Sequence, residues 1–461
     1  MNSQPKQLTL DQWQPRYDDL CRAGLQERFY GGPLQRHFKA GDRRLGRLRF
    51  DNSPAALGLW NLVLSEDDRL RLRQEHGSKI IGTMKDLGTT PIIAYAFDNL
   101  AAFYPDAAWW IPCFKQQQDG LFDLADRYGL DASFCPVRAM VGAFVNGRHF
   151  PLPDALVCGL GATCDDFAIA AARLESLGYD IFWWEMPHRR RPENDEPAVP
   201  LPNGQTAPHT QFAQVRNELK RLADHLETIA GQPLKQERLA AILQKTNRIR
   251  RCLQTLQSHV FTAPRCPLPA LEMMLAEMLA IHFCSDPDET ERVLTDLLAE
   301  VCRRLQNNMA VLPADAVRVY WVNPPADVAA LNLLEQCGGR LCGADFMSPH
   351  ALRPIDPCDA PFDGLAKAVL SDPMIGPARQ RAETILHQIK TVGAEAVVLC
   401  RIPGASHCAT EGLLIADFIR KHTDCPVVDI EIPTLIDPYE ASLRTRLDAL
   451  METARIRRRQ T

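Results

Sequence analysis

Five cysteines stand where thiolates could do chemistry: Cys135, Cys158, Cys164, Cys400 and Cys408. In Leu156-Val-Cys-Gly-Leu-Gly-Ala-Thr-Cys-Asp-Asp-Phe167 an apolar run enters a loop holding Cys158 and Cys164, and an amphipathic segment, Phe167 to Leu177, follows. Ala394-Glu-Ala-Val-Val-Leu399 runs in the same way into Cys400-Arg-Ile-Pro-Gly-Ala-Ser-His-Cys408, with a helix expected from about Gly412 to Lys421. Each pattern predicts a strand, a glycine-bearing turn and a helix. Such loops sit at the carboxyl edge of a parallel sheet, where α/β proteins place ligands. Cys135 stands before Pro136 at the approach to another helix, where amide donors favour a thiolate.

Soft thiolates select zinc, copper(I) or iron–sulfur clusters. Structural zinc and ferredoxin-type clusters use close C-x-x-C runs. This chain has none, and its two pairs have gaps of five and seven residues. Single cysteines from separate loops, meeting across a cleft, predict iron and sulfur. Buried unligated thiols are the competing reading, and placement alone leaves both open. Of the 15 cysteines, Cys21, Cys252, Cys284, Cys302 and Cys425 read as small apolar core residues. Cys113, Cys266, Cys337, Cys342 and Cys358 are weaker loop members. His407 adjoins Cys408, but loop neighbours rarely form a catalytic dyad. No G-x-x-x-x-G-K-[ST] run is present, so no P-loop is expected.

The elements that must position these thiols follow from pattern. At 461 residues the chain is long enough for two or three domains. Its 46% hydrophobic and 24% charged content is that of a globular protein, and a net charge of −5 argues against nucleic-acid binding. The start lacks the apolar core of a signal peptide, and no apolar run is long enough to span a bilayer. A cytoplasmic location without membrane attachment is expected. Residues 1–75 read as a helical extension. The first α/β lobe spans 76–208, with strands expected at Lys79–Ile81, Pro91–Tyr95, Trp109–Ile111 and Asp180–Glu185, and a proline-rich linker at 192–208. Residues 209–312 form a helical insertion or cap. The second α/β lobe spans 313–461, with strands at Val317–Val322, Arg340–Ala344, Val397–Leu399 and Val427–Glu431. The tract Arg189-Arg-Arg191 suits an anionic ligand, a partner surface or a solvated loop equally well. The fold class expected is α/β: two similar parallel-sheet lobes of one plan.

Several segments give this plan a family likeness. They are Ser133-Phe-Cys-Pro-Val-Arg138, Pro153-Asp-Ala-Leu-Val157 leading to Cys164-Asp165, and Leu226-Glu-Thr-Ile-Ala-Gly231 with Leu239 and Asn247-Arg248. Glu335-Gln-Cys-Gly-Gly-Arg-Leu-Cys-Gly-Ala-Asp345 and Cys425-Pro-Val-Val-Asp-Ile-Glu431 followed by Leu443-Arg-Thr-Arg-Leu-Asp-Ala449 complete the set. Over about residues 75–455 the chain resembles the 2-hydroxyacyl-CoA dehydratase D-component family, which includes the cluster subunits of ATP-dependent benzoyl-CoA reductase and the double-cubane cluster proteins. The resemblance implies flavodoxin-like lobes and a [4Fe–4S] cluster held by Cys135, Cys164 and Cys408, with Cys400 competing for the third place. Cys158 and the remaining member of the 400/408 pair are then extra, and could hold a double-cubane [8Fe–9S] cluster instead. It further implies an ATP-hydrolysing iron–sulfur activator protein, a homologous sister subunit or homodimer, and an acyl-CoA or other small-molecule substrate. The work implied is low-potential reduction or radical dehydration of an acyl-CoA thioester. A double-cubane reductase of small molecules or a non-catalytic electron-relay subunit is the alternative. The Arg444 and Arg446 pair is expected to be structural.

Overall fold

The computed structural model describes residues 4–38, 45–105, 120–357 and 359–460; of residues 407–410 it describes the backbone alone. Strands β1 (Gln7–Leu8) and β2 (Phe50–Asp51) pair antiparallel within the otherwise helical N-terminal region. Sheet one contains β3 (Lys79–Met84), β4 (Leu100–Phe103), β5 (Ala155–Gly161) and β6 (Ile181–Met186). A short hairpin, β7 (Ala198–Pro200) and β8 (Thr206–Pro208), precedes the helical middle region. Sheet two contains β9 (Val317–Val322), β10 (Gly339–Asp345), β11 (Ala396–Arg401) and β12 (Val427–Glu431).

The strand orders are β4-β3-β5-β6 and β10-β9-β11-β12, and every neighbouring pair in both sheets is parallel. The two lobes therefore share one topology. In each, the first strand lies centrally, the second goes to one side, and the third crosses to the other. That reversal between first and third strands opens a crevice at their carboxyl ends. Cys158 and Cys400 occupy the equivalent third strands, β5 and β11.

Each lobe has an apolar cluster of its own, around Met84 and Leu156 in the first and around Val322 and Leu399 in the second, and a third cluster is shared. One continuous apolar cluster includes Trp13 and Trp60 of the N-terminal region, Leu279 of the middle, Val157 of sheet one and Val319 of sheet two. At its centre runs the helix Ala270–His282, every residue of which is buried. A helix buried on every side belongs to an interior, and its two glutamates are hydrogen-bonded there, Glu272 by the Asp51 amide and Trp60, Glu277 by Gln257.

Three local expectations change. Pro91–Tyr95 is not a strand: Thr89–Ala94 is a helix, and the strand follows at Leu100–Phe103. The Asp86 carboxylate accepts from the backbone amides of Thr89 (2.7 Å) and Thr90 (3.1 Å) and so caps that helix. All six helix residues are buried, which erases the one-sided periodicity that betrays a helix. The linker contains the β7–β8 hairpin, turned at Asn203-Gly204, a dipeptide that itself signals a hairpin. Cys158 and Cys400 lie inside strands, not in the loops after them. Trp109–Ile111 lies outside the described residues, as do Cys113 and Cys358.

Candidate metal centre at the seam of the two lobes

Each of three cysteines sits at the start of a helix. Cys135 is the N-cap of a helical turn, Pro136–Arg138, which continues into the helix Ala139–Asn146. Cys164 is the N-cap of Asp165–Ser176. Cys408 is the third residue of Ser406–His422, whose N-cap is Ala405. Helix N-termini carry unpaired amide donors and the positive end of the helix dipole, so all three positions favour a thiolate.

One side chain draws these helix starts together. Asp166, buried, accepts from the Cys135 amide at Oδ1 (3.3 Å) and from the Cys164 thiol at Oδ2 (3.4 Å). From the other lobe, the Ser406 amide (3.0 Å) and hydroxyl (2.8 Å) donate to the same Oδ2. Backbone shape completes the closure. Gly404, at φ +77°, lies so near the preceding loop that a Cβ there would meet the Phe134 carbonyl oxygen at 2.4 Å. Cys135, Ile402 and Ala405 are all buried in the same apolar cluster. The loops of Cys135, Cys164 and Cys408 therefore converge, although they are far apart in sequence. The Cys408 side chain lies outside the described set. Among the described residues, no group of three His, Cys, Asp or Glu is arranged to hold a metal ion.

The two crevices share a second device. Lys85 follows β3 directly and Asn323 follows β9 directly; both are non-glycine residues in the left-handed region, at φ 50° and 65°. Each reaches across to the third strand of its own sheet. Lys85 Nζ donates to the Gly161 carbonyl (3.0 Å), and Asn323 Nδ2 donates to the Cys400 carbonyl (3.0 Å). Thr163, beside Cys164, is also left-handed, at φ 73°. Such conformations store roughly 1–3 kcal/mol each and cluster at functional sites.

Lys85 is nearly inaccessible, with its side chain 1% exposed, and lies 3.7 Å from Asp165. Burial lowers its pKa, while Asp165 and the thiols of Cys158 and Cys164 oppose that shift. Its buried amine thus lies within electrostatic reach of the thiols of the first crevice. In the second crevice Asn323 Oδ1 accepts from Arg381 (2.7 Å). Arg381 also binds Asp345 (2.5 Å) and, on the same helix as Cys408, Glu411 (2.9 Å).

Cys158 and Cys400 stand apart from the helix starts. Cys158 is fully buried within the first lobe among Met84, Leu156 and Ala170, and burial pushes its thiol up to about 12. Cys400 is fully buried on the face of β11 shared with the central cluster, its thiol 3.4 Å from the Pro324 carbonyl. Of the arginine tract, Arg189 is buried and Arg190 pairs with Glu196. Arg444 binds Gln336 and Glu440, and Arg446 binds the Asp429 carbonyl, which are structural contacts. Sequence reasoning missed Asp166, Lys85 and Asn323. The acidic first turn Cys164-Asp165-Asp166 was the one available sign, and it reads equally well as an ordinary helix start.

A comparison with protein-family models matches residues 90–454 to the 2-hydroxyglutaryl-CoA dehydratase, D-component family. The chain belongs to this family. The match covers all three cysteine loops, the helical middle and the second lobe to residue 454, and it makes the protein a dehydratase-type enzyme component. No curated protein matches the chain. Among the described residues, no helix is long and apolar enough to cross a membrane.

Proposed function

We propose that this D-component carries an iron–sulfur cluster between its lobes and works on an acyl-CoA thioester with an electron from an ATP-hydrolysing activator. The observation that carries the proposal is the convergence of three cysteine-bearing helix starts on Asp166. Cys135, Cys164 and Cys408 would be the ligands. Their soft donors fit iron and sulfide, and their places at helix N-termini suit an anionic centre. A cluster so held would supply one-electron transfer and, with only three protein ligands, an open iron site able to polarise a carbonyl oxygen.

The residues around it have definable tasks. Losing the Cys164 proton removes the thiol's hydrogen bond to Asp166, and the Lys85 ammonium offsets the added negative charge. Asp166 then holds the Cys135 amide and Ser406, keeping the loops at fixed spacing. Deep burial of the surrounding apolar cluster excludes water. The activator and a sister subunit, or a second copy, complete the reading, which extends to reduction of the benzoyl-CoA reductase type. A non-catalytic relay subunit is its nearest variant.

The double-cubane reading has one observation in its favour: Cys158 and Cys400 lie near the carboxyl ends of the equivalent third strands, although one residue out of register and in different cores. Against it, Cys158 would have to ionise inside a packed core. Anaerobic purification with iron and sulfide analysis separates the cases. About four irons per chain supports one cubane, and about eight supports the double form. Cys135→Ser, Cys164→Ser and Cys408→Ser should each lose most of the iron. Zinc in place of iron would end all of these readings. A substrate-induced change in the cluster's EPR signal would exclude the relay role.

A further inference from the structure

A cavity of about 630 Å³ lies between the helix Gln236–Thr262, the segment after β10 and the helix Ala378–Thr391, and none of Cys135, Cys158, Cys164 and Cys400 lines it. That volume suits a small-molecule ligand. Its wall includes Arg250, which is 3% exposed. One guanidinium nitrogen of Arg250 donates to the Arg353 carbonyl (3.0 Å), while its Nε has no partner. No carboxylate pairs with Arg250 among the described residues. Burial lowers its pKa to about 10, which leaves it charged at neutral pH. A buried guanidinium with a free donor and no counter-ion is costly unless something else supplies the charge.

The acids on and behind the wall do not supply it: none pairs with Arg250, and Asp356 is exposed. Asp359 is bound to Lys367 (2.7 Å). Asp372 faces His350 (3.4 Å), which Asp345 and Asp372 together raise to about 9. Glu277, behind Gln257, is pushed up to about 8 by burial and is mostly neutral at pH 7. Arg189, also on the wall, donates to the neutral oxygens of Leu370, Asp372 and Gln380. Leu87, Phe261 and Ile355 add apolar surface.

We propose that this cavity binds a small molecule bearing an oxyanion, a phosphate ester or a carboxylate, with the oxyanion seated on Arg250. A planar guanidinium with unused N–H donors recognises both groups in the same way. The proposal does not depend on the cluster. It does have a route to the seam, because His350 binds Asp345, Asp345 binds Arg381, and Arg381 binds Asn323 beside Cys400.

The test is calorimetric titration of the full chain with inorganic phosphate, AMP and glutarate, using adenosine and glutaramide as neutral controls. Binding by AMP or phosphate identifies a phosphate ester, and binding by glutarate alone identifies a carboxylate. We expect at least one oxyanion to bind, its neutral control to fail, and Arg250→Gln to weaken binding at least tenfold. Exposed Ser258, on the cavity wall, allows a second variant, Ser258→Trp, which adds bulk at the wall from a position outside the core. Should Arg250→Gln not fold, a loss of affinity in Ser258→Trp supports the site. No binding by any oxyanion, unchanged affinity in a folded Arg250→Gln, or unchanged affinity in Ser258→Trp overturns it.

Discussion

Asp166 of the first lobe and Ser406 of the second are joined twice: the serine amide and hydroxyl both donate to Oδ2, at 3.0 and 2.8 Å. The same carboxylate holds the Cys135 amide and the Cys164 thiol. One buried side chain thus fixes the spacing of three cysteine loops, and removing it should release them. Hydrogen bonds to a charged group are worth about 1.5–3 kcal/mol each, and their loss is only partly additive. Asp166→Ala should therefore lower stability by roughly 3–5 kcal/mol and abolish iron retention. Asp166→Asn keeps one acceptor oxygen and should lose less of both. Denaturant melts and iron assays read the two effects, and full iron loading in Asp166→Ala would contradict the assigned role.

Gly404 makes the same closure by lacking a side chain. At φ +77° and with the Phe134 carbonyl 2.4 Å from any added Cβ, alanine can neither adopt the backbone nor fit the space. Gly404→Ala should cost about 2–4 kcal/mol. Its signature is local. Hydrogen exchange should speed up at residues 132–136 and 402–408 while sheet one stays protected. Uniform loss of protection across both lobes would point to a global effect instead.

Arg381 is 1% exposed and neutralises Asp345 and Glu411. Arg381→Met leaves Asp345 buried beside His350 alone. Breaking a buried ion pair from one side typically destabilises by about 3–5 kcal/mol. The double variant Arg381→Met with Asp345→Asn should recover part of that loss. Additive losses in thermal melts would mean that the two residues do not act as a pair.

His350 sets a pH dependence. Its folded pKa is raised to about 9 by Asp345 and Asp372, above the ordinary histidine value. The folded state therefore holds the proton more tightly than the unfolded chain. The stabilisation is complete below the unfolded pKa of about 6.5 and is lost as pH rises through 9, a change of about 2–4 kcal/mol. Glu272 and Glu277, each raised to about 8 by burial, act in the same direction between their ordinary value and 8. Melting temperature should fall between pH 6.5 and 9, and His350→Gln should flatten part of that fall. An identical slope in the variant would remove His350 as the source.

The alternation of apolar runs and helices was enough to give two parallel-sheet lobes, because a run of five or six apolar residues between turn residues has few other ways to bury itself. The seven strands read correctly, β3, β5, β6 and all four of sheet two, are short apolar or alternating segments of this length. The helix approach at Cys135 was legible from the proline after it, whereas the helix after Cys164 was read from Phe167 and begins two residues earlier, at Asp165. Thr89–Ala94 was not legible, because a helix buried on all sides shows no face. The convergence of the cysteine loops was decided by contacts between residues hundreds of positions apart, such as Asp166 with Ser406 and Gly404 with Phe134. Sequence spacing carries no information about such contacts. Left-handed Lys85 and Asn323 were equally hidden, since their residue types give no hint of a conformation imposed by the strands they bridge.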